Sequence, residues 1–167
     1  ARECGMPPEA VRVERRCPRC PAPHGKPRLV DTLLHVSVSH SEERVAVTRA
    51  APIGVDVEHV RRADIAGLAE AVLADDEPLT RPEEFFVYWC RKEAVVKATG
   101  DGLCTPLRAV RVSPAREPAR LLSYRGGPVP CALADLDVGS GYAGAVAVLT
   151  DRPLRVRIRD GAALLSE

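Results

Sequence analysis

Aromatic side chains are scarce in this chain, six of its 167 residues. A core built here must be filled by Val, Leu and Ala, which an apolar content of 46% supplies. Long apolar runs are missing, and none approaches the ~20 residues of a membrane helix. Charge of one sign is missing too. The formal net charge is +1, which excludes a global field for nucleic acid. Lysine is nearly absent: arginine outnumbers it by 21 to 3, and the three are Lys26, Lys92 and Lys97. A bias that replaces Lys wherever any cation serves leaves these three as candidates for specific roles. No secretory signal pattern is visible. The length suits one domain or two small, intimate halves.

Six cysteines are present: Cys4, Cys17, Cys20, Cys90, Cys104 and Cys131. An even count permits disulfides in a secreted chain. Cys90, Cys104 and Cys131 lie in apolar stretches, however, and read as buried thiols of a cytoplasmic protein. Cys17-Pro18-Arg19-Cys20 with His24 resembles half a zinc knuckle. A structural zinc site normally has four ligands, and Cys4 is the nearby fourth candidate. The plain alternative is a loop with two free thiols. That loop, residues 15–28, holds Arg15, Arg16, Arg19, Lys26 and Arg28 with no acid between them.

Alternating apolar residues predict strands over residues 10–14, 33–39, 45–48 and 53–58. Ile65, Leu68 and Val72 predict a short helix. Thr80 and Pro82 mark a second helix start, with Glu83 and Glu84 in its first turn. That helix runs to Thr99 and stops at Gly100. Further strands are expected at 109–112, 121–124, 131–136, 143–149 and 154–158, with Gly126-Gly127 as a hairpin turn. Strand–turn–strand patterns around Ser37–Thr48 and Leu133–Val148 suggest two related halves. Ala1 to Cys4 followed by Gly5 reads as a helix tail with its glycine cap. The chain is therefore expected to begin part-way through a domain.

Two segments carry chemistry. In Gly54-Val55-Asp56-Val57-Glu58 the two carboxylates of a strand point the same way. In Trp89-Cys90-Arg91-Lys92-Glu93-Ala94-Val95-Val96-Lys97, a helix puts Trp89, Glu93 and Lys97 on one face. Together they can build a site for a hard divalent cation and an adjacent phosphate. Taken singly, each has a plainer reading: solvated strand carboxylates, an i, i+4 surface pair worth ~0.3–0.5 kcal/mol, and a core Trp. His40 beside Ser39 and Ser41 does not make a hydrolase, because strand neighbours face opposite ways and no nucleophile elbow is present.

The joint pattern resembles the 4′-phosphopantetheinyl transferases. Gly54–Glu58 and Trp89-x-x-Lys92-Glu93-Ala94-x-x-Lys97 look like their two signatures. Gly25-Lys26-Pro27, Val36–Ser41 and Gly102-Leu103-x-x-Pro106-Leu107 resemble further motifs of the larger, Sfp-type branch. Ser37 stands where the family pattern usually has Asn. The resemblance implies an α+β fold of two pseudo-symmetric halves, the first incomplete here, split as residues 1–50 and 51–167. It implies transfer of the phosphopantetheine arm of coenzyme A to a serine of an apo acyl or peptidyl carrier protein, with release of adenosine 3′,5′-bisphosphate. Asp56, Glu58 and Glu93 would bind Mg2+, or Mn2+. Glu93 would take the serine proton, with Glu58 and Lys97 beside it. Lys26, Pro27, Ser39, His40, Lys92 and Lys97 would hold the coenzyme. A monomer is expected, with no nucleic-acid or membrane partner, docking an acidic carrier near residues 59–80 through Arg61 and Arg62. Two rivals stay open: a smaller trimeric holo-acyl-carrier-protein synthase, disfavoured because the acidic strand starts only at residue 53, and a carrier-binding protein without activity.

Overall fold

The structure is a computed structural model and describes residues 1, 4–17, 20–61 and 65–161. Among the described residues, nine strands and two α-helices make an α+β fold. The first sheet is antiparallel, β1 (Val13–Glu14), β2 (Arg28–Leu29), β3 (His35–Ser41) and β4 (Arg44–Ala50), in that spatial order. β5 (Ile53–His59) opens a second sheet, in which β9 (Tyr142–Val148) lies between β5 and β8 (Ala132–Asp135). β6 (Val110–Val112) and β7 (Leu121–Tyr124) form a separate pair. Helices α1 (Ala66–Val72) and α2 (Glu84–Thr99) join β5 to β6.

The core sits where α2 covers β5 and β9. Small residues allow the helix in. Gly54, Asp56 and Glu58 of β5 lie opposite Ala147, Ala145 and Ala143 of β9. A Cβ on Gly54 would stand 1.9 Å from the Ala94 carbonyl oxygen and 2.5 Å from the Ala98 nitrogen. Only glycine permits that approach. Around the contact, Phe85, Tyr88, Val95, Val96, Val110, Val112 and the three alanines pack into one apolar cluster.

A ladder of hydroxyls ties the two larger sheets. Ser37, Ser39 and Ser41 of β3 accept the amides of Val55, Val57 and His59 of β5 at 3.0, 3.3 and 3.0 Å, each pair 18 residues apart. The constant offset means that the strands run the same way. β5 thus has a backbone neighbour, β9, along one edge and side chains along the other, which keeps its buried amides satisfied. Ser37 keeps a hydrogen-bonding role at the position where Asn was expected.

Most expected elements are present, with strand ends moved by up to three residues; the strand expected at 10–14 is reduced to Val13–Glu14, because Pro8–Ala10 form a 3-10 turn before it. Three expectations are corrected. Residues 154–158 alternate Leu154, Val156 and Ile158 with arginine, yet they pair with no strand among the described residues. Leu154 packs on Ile53, Val146 and Val148 instead, so the alternation is met without a ladder. Arg125 and Gly126 take positive φ (52° and 81°) and form the expected turn, but β7 pairs back to β6 and not on to β8. Cys104 is exposed, unlike Cys90, which is buried; Cys131 is half-buried.

The helix α2 is anchored by buried charge. Arg91 is fully buried and makes a fork with Asp135 at 2.8 and 2.6 Å. Its other donors reach the carbonyls of Ser113, Pro114, Ala115 and Glu117. Lys92, expected at the coenzyme phosphates, is corrected here: its side chain is 0% exposed. Its ammonium donates to Glu77 and to the carbonyls of Val72 (2.7 Å) and Leu107 (3.2 Å). Glu77 also accepts the amides of Ala74 and Val112. The rotation of about 100° per residue that places Glu93 toward β5 turns Lys92 into the protein. Removing one member strands the other in the core, so Lys92→Met should cost about 3–5 kcal/mol, read as a fall in the urea midpoint.

Glu84 holds the start of α2. Its carboxylate accepts the Thr80 amide (2.8 Å), the Arg81 amide (3.2 Å) and the Arg116 guanidinium (2.6 Å). Burial alone would raise its pKa, but the Thr80 and Arg116 bonds outweigh it and hold it down to about 2. A carboxylate lowered in the folded state stabilises above its ordinary value and loses that as pH falls through the folded one. Glu84→Gln should therefore cost about 1 kcal/mol at neutral pH. The melting-temperature gap to wild type should close as pH drops from 4.5 toward 2.

Candidate metal and phosphate site

Asp56 and Glu58 project from β5 toward α2, and each is steadied by the hydroxyl ladder. Ser39 Oγ donates to Asp56 Oδ1 at 2.8 Å and Ser41 Oγ to Glu58 Oε2 at 3.0 Å. Each serine thus accepts a β5 amide and donates to the carboxylate beside it. Lys97, at the far end of α2, donates to Asp56 Oδ1 at 2.6 Å and to the Val55 carbonyl at 3.2 Å. Asp56 is nearly buried, while Lys97 keeps 30% of its side chain exposed. Cys90 lies on the same face of α2, bonded to the Ala143 carbonyl at 3.4 Å. Burial pushes its thiol well up, and the charges of Asp56 and Glu58 push it further.

Glu93 completes the group. Burial raises its pKa first, Asp56 and Glu58 raise it further, and Lys97 opposes them. Glu58 is raised by burial and by Asp56 against the Ser41 bond and Arg61. The three acids are electrostatic neighbours that share a single nearby ammonium. Two buried oxygens, Asp56 Oδ2 and Glu93 Oε1, have no hydrogen-bond partner among the described residues. A buried carboxylate oxygen without a donor is costly. Hard oxygen donors, mutual repulsion and two unpartnered oxygens fit a divalent cation of the Mg2+ class. The ligand atoms are not drawn into a tight shell. Among the described residues, only Cys17, Cys20 and His24 bring theirs within 4.8 Å of one another.

The remaining candidates divide. Lys26 donates to the Ala98 carbonyl at 3.1 Å, close to the C-terminal end of α2. Burial lowers its pKa to about 8. Pro27 beside it is half-buried. Ser39 is committed to Asp56 and Val57, so of the Ser39–His40 pair only His40 stays exposed toward solvent. Trp89 is half-buried and stacks at a tilt on Phe85, 5.9 Å between ring centres. Arg61 is exposed, and Arg62 and Arg19 lie outside the described residues. Sequence reasoning missed Glu77, Arg91, and the part played by Ser41. Its available signal was Ser37-x-Ser39-x-Ser41, three hydroxyls on one strand face.

The chain is 29% identical over 128 residues to the 4′-phosphopantetheinyl transferase psf-1 of Bacillus pumilus, covering 71% of this chain and 54% of that one. It is 36% identical over 113 residues to the 4′-phosphopantetheinyl transferase HetI of a Nostoc species, covering 58% and 47%. The crystal structure of Thermotoga maritima holo-[acyl-carrier-protein] synthase aligns with a TM-score of 0.49 at 26% identity, over 60% of this chain and 63% of that one. The chain spans about half the length of the curated relatives it matches. Residues 52–147, which carry both acidic segments, match the family model for the 4′-phosphopantetheinyl transferase superfamily, and the chain belongs to that superfamily.

Proposed function

We propose that this chain transfers the 4′-phosphopantetheine arm of coenzyme A to a serine of an apo carrier protein, releasing adenosine 3′,5′-bisphosphate. The observation that carries the reading is the meeting of β5 and α2. Asp56, Glu58 and Glu93 share one neighbourhood with Lys97, and two of their oxygens lack donors among the described residues. Asp56, Glu58 and Glu93 would hold Mg2+, or Mn2+, whose charge would offset that of the diphosphate. The chain's own groups do the rest. Ser39 and Ser41 fix the Asp56 and Glu58 carboxylates. Lys97 presents an ammonium to the leaving phosphate. Glu93, with its pKa raised by burial, accepts the proton of the carrier serine. A base tuned upward from an ordinary carboxylate is better matched to that transfer near neutral pH. Positioning and charge neutralisation dominate phosphoryl transfer, so little else is required.

In this reading Lys26, Pro27, His40 and Lys97 face the coenzyme, and Lys92 does not. Residues 1–50 and 51–167 act as two halves, with the acids in the second and their serine supports in the first. The protein works as a cytoplasmic monomer. The experiment is a transfer assay with coenzyme A, Mg2+ and an apo carrier, read by mass. The carrier should gain one phosphopantetheine. Asp56→Ala and Glu93→Gln should each lose about two or more orders of magnitude in rate, with unchanged circular dichroism. Full turnover in either variant removes the site assignment. Carrier binding with no mass gain favours the inactive carrier-binding rival.

An acidic carrier would approach near residues 59–80, where Arg61 is exposed and acts electrostatically on Glu58. Arg61→Glu should raise the KM for the carrier roughly fivefold, about 1 kcal/mol of lost attraction. The KM for coenzyme A should hold. An unchanged carrier KM places docking elsewhere.

A further inference from the structure

The 17–24 loop has no buried side chain among its described residues, which include Cys17, Cys20 and His24. Its neck is closed all the same. Gly25 donates its amide to the Arg15 carbonyl at 2.9 Å, and Arg15 Nε donates to the Gly25 carbonyl at 3.3 Å. A Cβ at Gly25 would meet the Arg16 carbonyl oxygen at 2.1 Å, so the two sides of the neck touch. Within that ring, one ligand atom each from Cys17, Cys20 and His24 lies within 4.8 Å of the other two. Cys20 Sγ and His24 Nε2 are 3.0 Å apart.

We infer that Cys17, Cys20 and His24 form a binding site for a soft, tetrahedral divalent cation, of which zinc is the type. Thiolate and imidazole are the donors such an ion prefers, and Cys-x2-Cys followed closely by His is a spacing it uses. Tetrahedral bonds of about 2.0–2.3 Å put ligand atoms ~3.5–3.8 Å apart. The observed cluster needs only a small contraction on one side and a small opening between Cys20 and His24. Three protein ligands leave a fourth position for water or an external donor. The acid site is built from hard oxygens and would compete poorly for this ion, so the two centres select different metals. His24 directly precedes Gly25 and Lys26, and Lys26 is fastened to the Ala98 carbonyl. A metal in the loop would therefore stiffen the segment leading onto the end of α2. A short loop without a core gains most from such a staple.

This inference is independent of the transferase reading, and its test needs no activity. The full chain, reduced and metal-free, is titrated with Co2+. One equivalent should produce an intense visible ligand-field spectrum and a near-ultraviolet sulfur-to-metal band, both displaced by one equivalent of Zn2+. Cys20→Ser and His24→Ala should abolish or shift the spectrum. Asp56→Ala and Cys104→Ser should leave it intact. In a second measurement on wild type, Zn2+ should protect Cys17 and Cys20 from alkylation while exposed Cys104 still reacts. Absence of the sulfur band in wild type would overturn the site. So would an unchanged band, in position and intensity, in Cys20→Ser, or its loss in Cys4→Ser, which would demand a different ligand set.

Discussion

The arrangement of this protein rests on one close backbone approach, that of α2 to β5 at Gly54. With a Cβ-to-oxygen distance of 1.9 Å forbidden to any side chain there, the helix can lie nearly in contact with the strand. The acids of β5 and the acid and ammonium of α2 come from segments some forty residues apart, as the Lys97–Asp56 separation of 41 records. They meet because their backbones do. Ala143, Ala145 and Ala147 extend the shallow floor across β9. A larger residue at any of these points would lift the helix and part the charged groups.

Helix α2 also shows how one element serves two purposes by rotation alone. Arg91, Lys92, Glu93 and Lys97 lie within seven positions. Arg91 and Lys92 turn inward and saturate their donors on carbonyls and carboxylates. Their burial is tolerable because each charge is paired and hydrogen-bonded. Glu93 and Lys97 turn toward β5 and stay half-exposed, with an oxygen of Glu93 that meets no donor among the described residues. Saturated charge marks the structural pair and unsaturated charge the candidate site.

Much of this was legible before the fold was known. Alternation located β3 and β5, short apolar runs located β7, β8 and β9, and Thr80, Pro82 and Gly100 bounded α2 within a few residues, because these signals are local. The joining of Gly54–Glu58 to Trp89–Lys97 was legible through family resemblance and not through periodicity. What escaped was non-local. Whether Lys92 faces the cleft or the core depends on Glu77, fifteen residues away, and on carbonyls of α1 and the segment before β6. Residues 154–158 satisfy the alternation rule as well as β3 does. Only the presence of a neighbour to receive hydrogen bonds separates a strand from an extended tail, and a single segment does not contain that information.

The hydroxyl ladder between β3 and β5 carries a further consequence. Strand side chains repeat every second residue, so Ser37, Ser39 and Ser41 engage or disengage as a set. A displacement of β3 by one residue would swing all three outward, leaving three β5 amides and Glu58 without their serine partners and Asp56 held by Lys97 alone. Disorder at this seam is thus all-or-none. The supports that Ser39 and Ser41 give to Asp56 and Glu58 are therefore gained or lost together.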